Sequence, residues 1–359
     1  MPRLAPTNPS PHGLAIMTTP KDEGAVTTPS SDEGAVTTAL SNAVGPLTAK
    51  HFRPEVLKLF DEYVHGALSR RGFLERAAIY AVTGMSAGAL LDALSPNFAH
   101  AQVPPNEPRI ETDRLEFDSP KGYGKVRGYL ARPKRHRGVL PVVLVVHENR
   151  GLNPHIEDIA RRLALENFIA FAPDALSPLG GYPGNEDKAR ELFATLDQAK
   201  TREDFIAAAR FIQRHRDGNR RLGAVGFCWG GGTVNFLATE LPELDAAVPF
   251  YGPAPAPEAA VRVKANLQVH LADVDERVNA TWPPYEAALE AANVTFELFR
   301  YAGTQHGFNN DTTPRYDAEA AKLAWGRTLA FFNRELRRGR RHDRDHGHER
   351  DHGQSDQGR

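Results

Sequence analysis

Two regimes of hydrophobic and polar patterning divide this chain. Between about residues 105 and 337, short apolar runs alternate with stretches of helical period. Residues 139–146 are a continuous β-branched run, the pattern of a strand buried on both faces. Residues 113–117 and 125–131 read as two strands around a Pro-Lys-Gly-Tyr-Gly turn. Runs at 168–172, 222–227, 246–251, 267–271 and 295–301 read as further strands. Between them, 155–167, 186–196, 202–214, 234–241, 285–292 and 316–336 carry helical spacing. This alternation predicts an α/β domain over 105–337, with a mostly parallel central sheet and helices on both faces. Active residues are then expected on loops at the carboxyl ends of the strands.

The flanking segments read differently. Residues 1–50 are rich in Pro, Ser, Thr and Gly, and the heptapeptide Asp-Glu-Gly-Ala-Val-Thr-Thr occurs at 22–28 and again at 32–38. A repeat this short cannot build a solenoid, so a disordered low-complexity leader is expected, with Met17 an alternative start. A helical segment is expected over 51–104. Val56, Leu57, Leu59, Phe60, Tyr63, Val64 and Leu68 recur at helical spacing over 53–68. Ser69-Arg70-Arg71-Gly72-Phe73-Leu74 follows and resembles a twin-arginine export signal. An apolar stretch over 77–91, too short for a comfortable membrane span, leads to Ala99-His100-Ala101, a small-x-small cleavage pattern. The expectation is export to the periplasm, with a mature start near Gln102. The competing reading is a helical extension that packs on the catalytic domain. Residues 338–359 interleave Arg, Asp and Gly with His342, His346, His348 and His352. They read as a disordered, solvated tail rather than a metal site.

Composition narrows the function classes. A formal net charge of −1 gives no reason to expect a nucleic-acid partner. One cysteine in 359 residues excludes an intramolecular disulfide and any multi-cysteine metal site.

That cysteine lies in Gly226-Phe227-Cys228-Trp229-Gly230, after a strand run and before a helical pattern. This is the nucleophile-elbow spacing with Cys in the place of Ser. The turn is so tight that side chains flanking the nucleophile would clash, and the helix start lowers the thiol pKa. A weak nucleophile needs a base and a group that orients the base. His306 lies after the last strand run, and Asp273 and Asp275 after the one before it. Either aspartate could instead cap the helix near Asn279. Cys, Asp, His is the chain order of α/β-hydrolases. An oxyanion hole is expected from the backbone N–H groups of Trp229 and Asn149. Glu148, at the end of an apolar strand, requires a partner; pairing with Arg150 is one option.

The elbow, Glu148, the Asp-x-x-Val segment and His306-Gly307-Phe308 together resemble the dienelactone hydrolases, or carboxymethylenebutenolidases, over about 105–335. The resemblance implies Cys228, Asp275 and His306 as the triad, Asp275 because it lies three residues before Val278. It gives Glu148 a role in generating the thiolate. It also implies a small ester or lactone substrate, a thioester acyl-enzyme, and no metal or organic cofactor. One departure is that Asn310 stands where well-known members carry a substrate-binding arginine. Arg150 and Arg315 are near in sequence, and neither is an evident replacement. A monomer without a stable membrane span is expected. The alternatives are a broad carboxylesterase with the same residues, or a non-catalytic protein of this fold that binds a ligand or partner. A thiol redox protein would want a resolving cysteine, which is lacking.

Overall fold

A computed structural model describes residues 47–81 and 85–337. The low-complexity leader with its repeat, and the histidine-bearing tail from 338, lie outside the described residues.

The strands are β1 (Ile110–Ser119), β2 (Gly124–Pro133), β3 (Leu140–Val146), β4 (Ile169–Pro173), β5 (Gly218–Phe227), β6 (Ala246–Phe250), β7 (Asn266–Val274) and β8 (Phe296–Gln305). They form one eight-stranded sheet in the order β1-β2-β4-β3-β5-β6-β7-β8. The β1–β2 and β2–β4 pairings are antiparallel, and every pairing from β4 to β8 is parallel. The mostly parallel sheet therefore carries an antiparallel edge. All seven residues of β3 are buried, so its unbroken apolar run is what a central strand with helices above and below requires.

The helices are α1 (Pro54–Val64), α2 (Arg70–Ala77), α3 (Ala87–Leu94), α4 (Pro154–Leu165), α5 (Glu186–Ala194), α6 (Gln198–Gln213), α7 (Trp229–Glu240), α8 (Glu276–Asn279), α9 (Trp282–Ala291) and α10 (Ala318–Leu336). Two apolar clusters flank the sheet. One joins Leu144, Ile169 and Leu222 to Phe205 of α6, Leu237 of α7 and Trp282 of α9. The other joins Val143, Val145 and Phe227 to Ile159 of α4 and Phe331 of α10. Among the described residues no helix is long and apolar enough to cross a membrane.

Helices α1 to α3 have an apolar cluster of their own. Val56, Leu57, Phe60 and Tyr63 of α1 meet Phe73 and Ala77 of α2 and Leu90, Leu91 and Leu94 of α3. The twin-arginine-like stretch supplies α2, whose Ser69 caps Gly72 N–H, and Phe73 is fully buried there. Arg70 bonds Asp187 of α5 at 2.9 Å, and Arg71 turns to Glu75 of its own helix. Within the stretch that reads as one apolar run over 77–91, Ala77 closes α2, Ala78–Tyr80 form a 3-10 turn and the last five residues belong to α3. The segment is folded against the α/β domain, over the carboxyl ends of its strands.

Candidate active site

Cys228 occupies the turn between β5 and α7 with φ 56° and ψ −116°. A positive φ on a non-glycine residue costs on the order of 1–3 kcal/mol and persists only where the surroundings impose it. Here its N–H donates to Phe250 O at 3.1 Å, and its carbonyl accepts from Gly232 N–H at 3.2 Å. The flanking glycines are there for space. A Cβ on Gly226 would lie 2.2 Å from Gly230 O, and one on Gly230 would lie 2.4 Å from Val146 O. Cys228 is 7% exposed and is the only thiol in the chain.

Asp275 and His306 reach the same point from the ends of β7 and β8. His306 Nδ1–H donates to Asp275 Oδ2 at 2.5 Å. The other carboxylate oxygen, Oδ1, accepts from Val278 N–H at 3.3 Å, so Asp275 also caps α8. The two functions considered for the aspartates meet in one residue. Asp273 instead accepts from Gly303 N–H near the end of β8 at 3.0 Å. His306 Nε2 is buried without a hydrogen-bond partner, and a ring nitrogen of His306 lies within 4.8 Å of Cys228 Sγ. The Tyr251 ring, 5.0 Å away, walls off the imidazole.

Burial by itself would raise the Cys228 pKa, but the charge of His306, and then that of His65, outweighs it and brings the thiol down to about 6. Burial would conversely lower the His306 pKa, but the facing sulfur and the Asp275 hydrogen bond carry it up to about 10. Both shifts run in the direction of a thiolate–imidazolium pair.

The loop after β3 forms the opposite wall. His147 lies under it, accepting from Ala175 N–H at 3.1 Å through Nε2 and donating from Nδ1 to Glu148 O at 2.5 Å. Burial keeps that imidazole neutral, and it stacks on Trp229. Trp229 is the first residue of α7, where a backbone N–H has no intrahelical partner. Asn149 lines the cavity that holds Cys228, and its side chain donates to Val64 O at 2.9 Å. Glu148 Oε2 accepts from Asn310 Nδ2 at 3.2 Å, so the residue at the arginine position of well-known members faces this carboxylate. Arg150 contacts Asn149, Val64 O and Glu186 instead of Glu148. Arg315 lines the same cavity and lies 3.5 Å from Asp61.

One residue of the site had no signal in the sequence. His65, just past the end of α1, places Nε2 3.3 Å from Cys228 Sγ. Its helical period marked α1 as amphipathic, but period alone does not say what its end will touch.

The fold and the elbow are those of the α/β-hydrolases. Residues 126–336, more than half of the chain, match the dienelactone hydrolase family, and the chain belongs to that family. Residues 45–82 separately match a family described as YqhI-like. The chain is 34% identical over 218 residues to "Putative carboxymethylenebutenolidase" of Escherichia coli K12, covering 57% of this chain and 80% of that protein. It is 55% identical over 114 residues to "Putative hydrolase fragment YghX" of the same strain, covering 32% of this chain and 97% of that one. Among solved structures, "Putative Dienelactone Hydrolase" from Klebsiella pneumoniae is 33% identical with a TM-score of 0.54, covering 62% of this chain and 98% of its own. This chain is therefore a hydrolase of the dienelactone hydrolase type.

Proposed function

We propose that the chain hydrolyses small esters or lactones through Cys228, His306 and Asp275, by way of a thioester. The observation that carries this reading is the convergence of the Asp275–His306 couple on a strained, buried, sole thiol. The Cys228 thiolate attacks the acyl carbon and a C–S bond forms. The tetrahedral oxyanion is held by the N–H groups of Trp229 and Asn149. The C–O bond then breaks, and the departing alkoxide takes the proton from His306 Nε2. Water gives a proton to the same nitrogen as its oxygen attacks the thioester. The acid departs and the thiolate returns. Asp275 keeps the Nδ1 proton fixed, so that Nε2 is the working nitrogen throughout. Amides are poor substrates for such a centre, because the intermediate expels thiolate more readily than amine.

Asn310 favours substrates without a carboxylate at the position that arginine serves in well-known members. In this chain that place carries an amide bonded to Glu148. The test is Cys228→Ala, assayed on p-nitrophenyl acetate and on lactones with and without a carboxylate. Loss of activity on a folded protein is expected, and retained hydrolysis would overturn the reading.

A further inference from the structure

The histidine that the reaction above does not use is the one in hydrogen-bond contact with the sulfur. We propose that His65, held by Asp61, is a second catalytic histidine of this centre, and that the helical segment carrying it is a working part of the enzyme. This rests on the assignment of Cys228 as nucleophile.

The geometry repeats the first couple with different parts. His65 Nδ1 donates to Asp61 O at 2.8 Å and lies 3.2 Å from Asp61 Oδ1, one turn back on α1. Nδ1 therefore carries the proton, and Nε2 is turned to Sγ at 3.3 Å. A backbone carbonyl or carboxylate behind an imidazole fixes its tautomer and raises the basicity of the far nitrogen. The ring stands edge-on to His306, with centroids 4.7 Å apart. One ring nitrogen of His65, one of His306 and Sγ all lie within 4.8 Å of one another.

The segment is fastened where this requires it. Val64 O accepts from Asn149 Nδ2 at 2.9 Å and from Arg150 at 3.1 Å. Tyr63 O accepts from Arg190 at 2.7 Å, and the Tyr63 hydroxyl donates to Asp187. The two residues before His65 are thus tied to the β3 loop and to α5. The remaining cavity over the sulfur is about 50 Å³, room for a few waters. Closure of this kind removes competing solvent and strengthens each charge interaction at the sulfur.

Several groups set the charge on His65. Asp61 favours the cation, as does the thiolate. His306 across the ring, and Arg277, whose Nη2 lies 3.0 Å from Nε2, oppose it. Arg315 Nη1 lies 3.5 Å from Asp61 Oδ1, and neither atom has a hydrogen-bond partner among the described residues. Glu148 and Glu186 line the same cavity. Burial lowers the His65 pKa, but the facing sulfur and Asp61 together leave it raised. Between turnovers the imidazolium donates to the thiolate. When the C–S bond forms, the sulfur loses its charge while His65 keeps its proton, and His306 alone serves the leaving oxygen and the water. When the thioester is cleaved, the thiolate returns beside His65.

Because Cys228 is the sole cysteine, the full chain can be titrated by iodoacetamide without labelling another thiol. His65→Gln is expected to move the alkylation midpoint up by about one pH unit, a tenfold loss of reactivity in the pH range below it. It should lower kcat on p-nitrophenyl acetate about tenfold or more, with KM changed less than about threefold. Asp61→Asn keeps the imidazole and should shift the midpoint the same way by less, which guards against a folding defect in His65→Gln. An unchanged midpoint in both variants, or a rise in kcat on removal of His65, would overturn the proposal. The second result would make the segment a plug. An inactive Cys228→Ala beside an unaffected His65→Gln would sink this inference and leave the ester-hydrolase reading standing.

Discussion

Two imidazole–carboxylate couples face one sulfur, and they are held by opposite means. His306 and Asp275 stand on the ends of adjacent parallel strands, between the two clusters that flank the sheet. Each directly follows a member of the last β7–β8 pair, Val274 and Gln305. His65 and Asp61 stand on a helix whose apolar face is spent on its own small cluster. That helix meets the domain through hydrogen bonds and ion pairs at Asp61, Tyr63 and Val64, and α2 adds Arg70. Such contacts are each worth about 1 kcal/mol net. The second couple is therefore expected to open more readily than the first. The site would then combine a proton-transferring histidine carried by the sheet with a charge-stabilising one carried by the cover.

The comparison can be broken in order of expected effect. Cys228→Ala removes what both couples serve, and a loss of roughly a thousandfold or more in kcat is expected by steady-state assay. Asp275→Asn should follow, at about a hundredfold or more, because it frees the His306 tautomer and weakens the α8 cap. Asp273→Asn, which loses only a loop contact, should stay within about threefold, and the reverse order would mean that the wrong acid is assigned. The pH dependence of kcat/KM comes next. The active pair needs the thiol deprotonated, above about 6, and His306 protonated, below about 10, so activity should rise through the first value and fall through the second. A single limb near neutrality would show that a neutral pair is used. Smallest is Asp187→Asn, which weakens the Tyr63 and Arg70 contacts at the rim of the segment. A fewfold change in kcat and earlier hydrogen exchange in α1 than in β7 are expected.

The fate of the segment can be read by intact mass. A chain beginning at Gln102 is the outcome of export with cleavage after Ala101, and such a chain lacks His65 and Asp61.

What was legible in the sequence follows from where the information lies. The strands announce themselves because a doubly covered sheet demands unbroken apolar runs, as over Leu140–Val146. The elbow announces itself because its backbone excludes side chains at fixed offsets. The ends of elements were less legible. β5 begins at Gly218, four residues before its apolar run, where Arg220 and Arg221 carry polar side chains at the sheet end. α8 has one turn and too few positions to show a period. His65 was illegible for another reason. Its role depends on how two separately packed bodies meet, and no local spacing between residues 65 and 228 encodes that meeting.

The glycine packing beneath the sulfur has a consequence for how such a protein can diversify. With Gly226 pressed on Gly230 and Gly230 on the end of β3, the floor of the site admits not even a methyl group. Variation that retunes the catalyst must therefore come from above, through the β3 loop, the Asn310 loop and the helical cover. A library built on those three surfaces explores new substrates, whereas one built on the floor explores misfolding.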